Sequence, residues 1–256
     1  MKKKLLIGVF AAAFAFLAFS GAAMAKKQDI PEKNGVYDVP GKPDMKVRVF
    51  VHKVKPFFNG ETALPVCNDY DSTSVVKSAG WKLPKGTWDY YVNTADAPDL
   101  NGGNFKDITV DSFAQWTIGT DLSGRTDFHY VAPTDQTTYK QDFKNIVTWG
   151  PVSNSNTIAV TYTWYNRRTK VVVENDTVMN AALNWSWADY LGKGVCGITG
   201  FDAQNILTHE LGHWVGLNDH YTSAYQHNTM FGYGSPAEVK KDTLTAGDIA
   251  GVNKIY

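Results

Sequence analysis

The chain has 256 residues, of which 43% are apolar and 13% aromatic, with 25 basic side chains against 25 acidic ones. That length and composition suit one well-buried domain plus an extension and exclude a disordered chain. The even charge balance and the scarcity of Lys/Arg clusters argue against a nucleic-acid partner or an anionic membrane surface.

Residues 1–25 read as a secretory signal peptide. Lys2, Lys3 and Lys4 precede an apolar run over residues 5–19, and Ala23-Met24-Ala25 forms a small-x-small cleavage site. The apolar run is short for a membrane span and a polar, Lys-rich stretch follows it, so a secreted protein without stable membrane insertion is expected. Cleavage removes three lysines and no acid, leaving 22 basic against 25 acidic residues, a balance of −3.

Residues 26–41 are polar and punctuated by Pro and Gly, which predicts an extended, mobile segment. Residues 45–55 alternate, with Val47, Val49 and Val51 apolar against Lys46, Arg48, His52 and Lys53, which predicts a strand. Residues 56–78 read as irregular and contain Cys67. Strands follow over residues 87–93, 128–131, 145–150, 157–165 and 171–179. Between the first two, Phe105, Ile108, Phe113 and Trp116 recur at helical spacing and predict a helix over residues 104–117. Residues 185–200 are rich in Gly and aromatics and read as a loop holding Cys196, after which Asp202 is a helix N-cap candidate.

The densest pattern is Thr208-His209-Glu210-Leu211-Gly212-His213-Trp214-Val215-Gly216-Leu217-Asn218-Asp219-His220. Residues i and i+4 share a helix face, so His209 and His213 can present their imidazoles to one metal ion. Glu210 lies one residue round the helix, where it suits a general base acting on water. Gly216 allows a left-handed exit from the helix, which brings the third residue beyond it, Asp219, back to the same point. The apolar residues around the pair, Ile206, Leu207, Leu211, Trp214 and Val215, predict a largely buried helix whose histidines need partners.

The string resembles the metzincin zinc-protease signature, H-E-x-x-H-x-x-G-x-x-H/D. Asp219 in the last position, with His220 and Tyr221 following, is similar to the snapalysin-like branch. Only Asp219 has the signature's offset from Gly216, and His220 is the alternative third ligand. Asn228-Thr229-Met230 resembles the Met-turn, with Met230 beneath the zinc. Residues 244–256 resemble the matrixin C-terminal helix, with Thr245 and Asp248 as its cap.

The resemblance covers residues 81–256 and implies an α+β metzincin-like fold: a mixed twisted sheet with a long first helix, a zinc-binding helix and a C-terminal helix. The strand over residues 172–180 resembles the edge strand that pairs with extended substrate in that family. The implied organisation is a signal peptide over residues 1–25, an extension over 26–77 (propeptide or accessory segment) and a matrixin-like catalytic domain over 78–256. The implied activity is a monomeric, secreted zinc endopeptidase acting on protein or peptide, with one zinc on His209, His213 and Asp219 and with Glu210 as general base.

Several alternatives stay open. A thermolysin-like protease would take its third ligand from Glu238, in Glu238-Val239-Lys240-Lys241-Asp242. A catalytically silent, zinc-stabilised binding or adhesion module would keep the metal without turnover. Tyr233, just past the Met-turn, is a packing residue or an oxyanion aid. Cys67 and Cys196 are expected to form one disulfide in a secreted chain, or Cys67 supplies a thiolate to the zinc in a latent form. Residues 40–44 lack the cysteine of a matrix-metalloprotease cysteine switch, and that switch is not inferred. Calcium is common in secreted relatives, with Asp176, Asp189 and Asp202 as scattered candidate ligands.

Overall fold

The computed structural model describes residues 30–56, 70–188 and 199–256. The expected signal peptide, both cysteines and Asp189 lie outside the described residues. Ten strands and three α-helices are described. The strands are β1 (Gly35–Asp38), β2 (Met45–Val54), β3 (Gly86–Val92), β4 (Thr126–Pro133), β5 (Asn145–Gly150), β6 (Thr157–Asn166), β7 (Val172–Asn180), β8 (Trp185–Ser186), β9 (Phe201–Asp202) and β10 (Tyr233–Gly234). The helices are α1 (Phe105–Gln115), α2 (Ala203–Trp214) and α3 (Ala246–Asn253).

The main sheet runs β1-β2-β6-β7-β5-β3-β4, and β10 also pairs with β2. β4, β3, β5 and β7 are parallel neighbours, and β6 is antiparallel to β7. The α+β architecture with a mixed sheet is therefore as the sequence implies. Each helix starts where a polar side chain meets orphan backbone amides. Asn104 caps α1 and Asp202 caps α2. Thr245 and Asp248 form a reciprocal capping box on α3.

Two findings depart from the sequence reading. β7 is not an edge strand, because β5 and β6 pair with its two sides. Its interior position agrees with its composition, since nearly all of β7 is buried. Residues 35–38, expected to be mobile, form β1 on the outer side of β2.

β2 pairs antiparallel with β6 from Met45 to Lys53. It is covered on both faces. Val47, Val49 and Val51 pack with Val160, Tyr162 and Trp164 on one side. Phe50 joins the larger core on the other, between the sheet and the helices.

α1 and α2 pack on that second face. Trp116 donates its indole N–H to the Thr208 carbonyl at 2.9 Å, and Phe113 meets Trp214 edge to face. Gly212 is needed at this contact. A Cβ there would stand 2.2 Å from the Met230 sulfur and 2.7 Å from the Trp116 ring. Gly216 ends the segment at φ +99°, and its missing side chain leaves room for the Trp81 carbonyl.

Candidate metal centre

Every residue of α2 is buried. His209 and His213 lie one turn apart and point the same way, with ring centroids 5.0 Å apart. Each ring is fixed through its Nδ1. His209 Nδ1–H donates to the Thr229 carbonyl at 2.7 Å, and His213 Nδ1–H donates to the Leu217 carbonyl at 3.0 Å. Both Nε2 atoms are thereby left as lone-pair acceptors facing inward.

The chain beyond Gly216 returns toward them. Asn218 N–H donates to the Lys77 carbonyl, and His220 exchanges backbone hydrogen bonds with Met230 and Gly232. This clamp aims Asp219 at the pair. Asp219 Oδ1 stands 3.2 Å from His209 Nε2 and 3.4 Å from His213 Nε2. The Tyr221 hydroxyl donates to Asp219 Oδ2 at 3.0 Å.

His220 turns away. It accepts a hydrogen bond from the Lys77 amide at 3.0 Å and stacks on Tyr225. Glu238 is also elsewhere, paired with Lys241 at 3.5 Å and Lys240 at 3.6 Å. The described residues bring His209, His213 and Asp219 together, with one ligand atom from each lying within 4.8 Å of the others. The alternatives through His220 and Glu238 lack that convergence.

Met230 is fully buried, with its sulfur against Gly212 of α2. Asp248 of α3 accepts from the Thr229 and Met230 amides at 2.9 and 3.3 Å, so the third helix braces the turn. The Tyr233 carbonyl accepts from Lys241, and its ring packs edge to face on Tyr221. Of the calcium candidates, Asp176 accepts from the Lys140 and Ile146 amides and Asp202 from the Ala188 and Asn205 amides. Both act here as anchors for backbone.

The electrostatics suit a cation. Burial pushes His209 down to about 4, so its imidazole is neutral. Burial pushes Glu210 up to about 7, against the opposing pull of His213 and Thr161.

Glu210 is held from two sides. Lys241 Nζ has donors only, so His52 Nε2 accepts from it at 3.1 Å, and His52 Nδ1–H then donates to Glu210 Oε1 at 3.1 Å. On the other side Trp214 Nε1–H donates to Thr177 Oγ1 at 2.9 Å. Thr177 is 2.8 Å from Thr161 Oγ1, which donates to Glu210 Oε2 at 2.6 Å. An indole donor at one end and a carboxylate acceptor at the other set the direction of this chain.

Neither relay was visible in the sequence, where His52 stands on the polar side of an alternating strand. Phe50 on that same side was the available signal, because an aromatic there means a second covered face.

The matrixin family model matches residues 81–256. The chain belongs to the matrixin family. Matrixins are zinc-dependent metallopeptidases, and the convergent site lies within the matched residues. No curated protein sequence is similar enough to count as a match. The matrixin match starts after β2, so His52 and Phe50 come from outside it. Among the described residues no helix is long and apolar enough to cross a membrane.

The donor set fits zinc. His209 Nε2 and Asp219 Oδ1 are buried and have no hydrogen-bond partner. With metal–ligand distances of about 2.0–2.2 Å, tetrahedral ligand atoms stand roughly 3.3–3.6 Å apart. The observed spacings of 3.2 and 3.4 Å lie within about 0.1 Å of that range.

Proposed function

We propose that this matrixin is a secreted zinc endopeptidase in which His209, His213 and Asp219 hold the ion and Glu210 is the general base. The observation that carries the reading is the convergence of three buried ligand atoms, two of them without any hydrogen-bond partner. Bound there, zinc would polarise the scissile carbonyl and make water acidic enough to attack at neutral pH.

The chain's own groups supply the rest. Glu210, raised to about 7, is poised to take a proton from the attacking water and return it to the leaving amine. The Trp214–Thr177–Thr161 chain orients the Glu210 carboxylate. The Nδ1 bonds to the Thr229 and Leu217 carbonyls keep both imidazoles in the ligand tautomer.

A test compares metal content and peptide hydrolysis for the natural sequence, Glu210→Gln and Asp219→Ala, each assayed as the full chain and after the segment ahead of residue 56 has been cut away. Glu210→Gln is expected to keep stoichiometric zinc and lose chelator-sensitive cleavage of casein. Asp219→Ala is expected to lose the metal. Cleavage that persists in Glu210→Gln would sink the mechanism. A second reading, a zinc-stabilised binding module without turnover, draws on the complete burial of Glu210. Zinc binding with no hydrolysis in any opened form of the protein would favour it. Appearance in the culture medium of a chain beginning at Lys26 is the expected sign of secretion.

A further inference from the structure

The site has a feature that hydrolysis of a macromolecule does not tolerate. His209 and Glu210 are 0% exposed and His213 1% exposed, and residues of β2 lie directly against all three. The cover is β2. The Phe50 ring lies flat on His213, with centroids 3.7 Å apart and planes 3° apart. The His52 ring lies over His209 at 3.9 Å, and its Nδ1 occupies Glu210 Oε1. With Thr161 on the other oxygen, the base has both of its oxygens engaged.

The manner of seating is also informative. β2 pairs antiparallel with β6 on one side and parallel with β10 on the other, with Tyr233 opposite Lys53 and Gly234 opposite Val54. Lys55 N–H donates to the Gly234 carbonyl at 2.8 Å, which continues that second ladder. An extended peptide added to the β6 edge would take this place. The occupant comes from the segment ahead of the matrixin match, and within the matched residues the sheet ends at β6.

Resting on the protease reading above, we propose that β2 is a built-in occupant of the substrate groove, which keeps the enzyme latent by masking the base with His52 and the ligand rings with Phe50 and His52. The device acts on Glu210. Among the described residues the groups of converging ligand atoms are His52–His209–Glu210 and His209–His213–Asp219, so His52 does not complete the Asp219 set. Lys241 serves the device by holding His52 Nε2, which leaves Nδ1–H for Glu210. Val47, Val49 and Val51 supply adhesion on the far face.

The test inserts a recognition sequence for a site-specific protease between Lys55 and Pro56, both exposed, in the full chain. The zinc-loaded protein is then cut, and the N-terminal piece is removed by size exclusion in mild denaturant. A fluorogenic peptide reports turnover, near-ultraviolet circular dichroism reports folding, and a labelled synthetic peptide of residues 45–55 reports rebinding.

The intact chain is expected to be silent and the stripped body folded and active. The 45–55 peptide should rebind and inhibit, and its His52→Ala version should bind about tenfold more weakly, as expected for losing a hydrogen bond to a carboxylate. An intact chain as active as the stripped one overturns the proposal. So does a body that unfolds when the piece leaves, which would make β2 a permanent core strand. A folded, zinc-loaded body that rebinds the peptide in a His52-dependent way but hydrolyses nothing upholds the occupied groove and removes the protease reading instead. Absence of both turnover and rebinding overturns the proposal.

Discussion

α2 carries Glu210 and β2 closes on it, and both are buried there. α2 carries the ligand pair and the base within 12 residues of one helix. β2 delivers His52 to the same carboxylate from 158 residues away in the chain. The helix places its groups by local geometry, since its period alone puts His209 and His213 on one face. The strand places His52 and Phe50 by register with β6, where a slip of one residue would turn both to the other face. Chemistry encoded in a helix is therefore robust to its surroundings, whereas chemistry supplied by an added strand lasts only while the strand stays paired.

Substitutions can separate the two. The largest expected effect is on the helix side. Asp219→Ala removes the carboxylate shared by both imidazoles and should weaken zinc binding by more than about 100-fold, beyond what losing an outer-shell partner does. Isothermal titration against a competing chelator checks this, and unchanged affinity would break the grouping. Next comes Phe50→Ala on the strand side. Truncating a fully buried Phe typically costs about 3–5 kcal/mol. Hydrogen exchange should show faster opening of the β2 amides with a smaller shift in the main thermal transition. Equal effects on both would mean that β2 and the helices unfold as one unit.

Gly212→Ala ranks third. Its Cβ meets the Met230 sulfur and the Trp116 ring, so the α1–α2–Met230 contact must open. Overpacking of this kind costs about 1–3 kcal/mol and should lower the main thermal transition with little change in β2 exchange.

The smallest effect compares two buried carboxylates. Burial pushes Glu174 on β7 up to about 7 despite hydrogen bonds from the Asp142 and Phe143 amides. The folded form therefore holds this proton more tightly than the unfolded chain. The associated stability is present below about pH 4.5 and is lost as the pH rises through about 7. Glu174→Gln should flatten that fall in denaturant midpoints. Asp176, raised in the same direction by burial, leaves part of the slope in place.

Much of the fold was legible. The strand over residues 45–55, the helix near 104–117, and the caps at Asp202 and at Thr245 with Asp248 rest on periodicity and local hydrogen bonding, which a sequence displays directly. The assignment of residues 172–180 to an edge failed because strand order is a long-range property. β7 has β6 beside it, and β6 in turn has β2 beside it. The Met230 position was readable from its spacing, but its bracing by Asp248 was not, because a capping aspartate gives no sign of serving a second loop. Thr161, Thr177 and Lys241 carried no signal at all. A threonine on a strand and a lysine after a turn are ordinary until the sheet brings them to Glu210.

The sequence by itself determined the family, the helix that presents His209, Glu210 and His213, and the glycine turn that follows it. Each of these follows from helical period, a positive φ or a short offset, and these act over a few residues. Only the tertiary structure decided that Asp219 converges while His220 turns to Lys77 and Tyr225. It also decided that β6 has a partner strand and that Glu210 is held by His52. Those outcomes depend on which strands find each other across the chain, and that pairing is settled by packing on both faces of the sheet rather than by any local pattern.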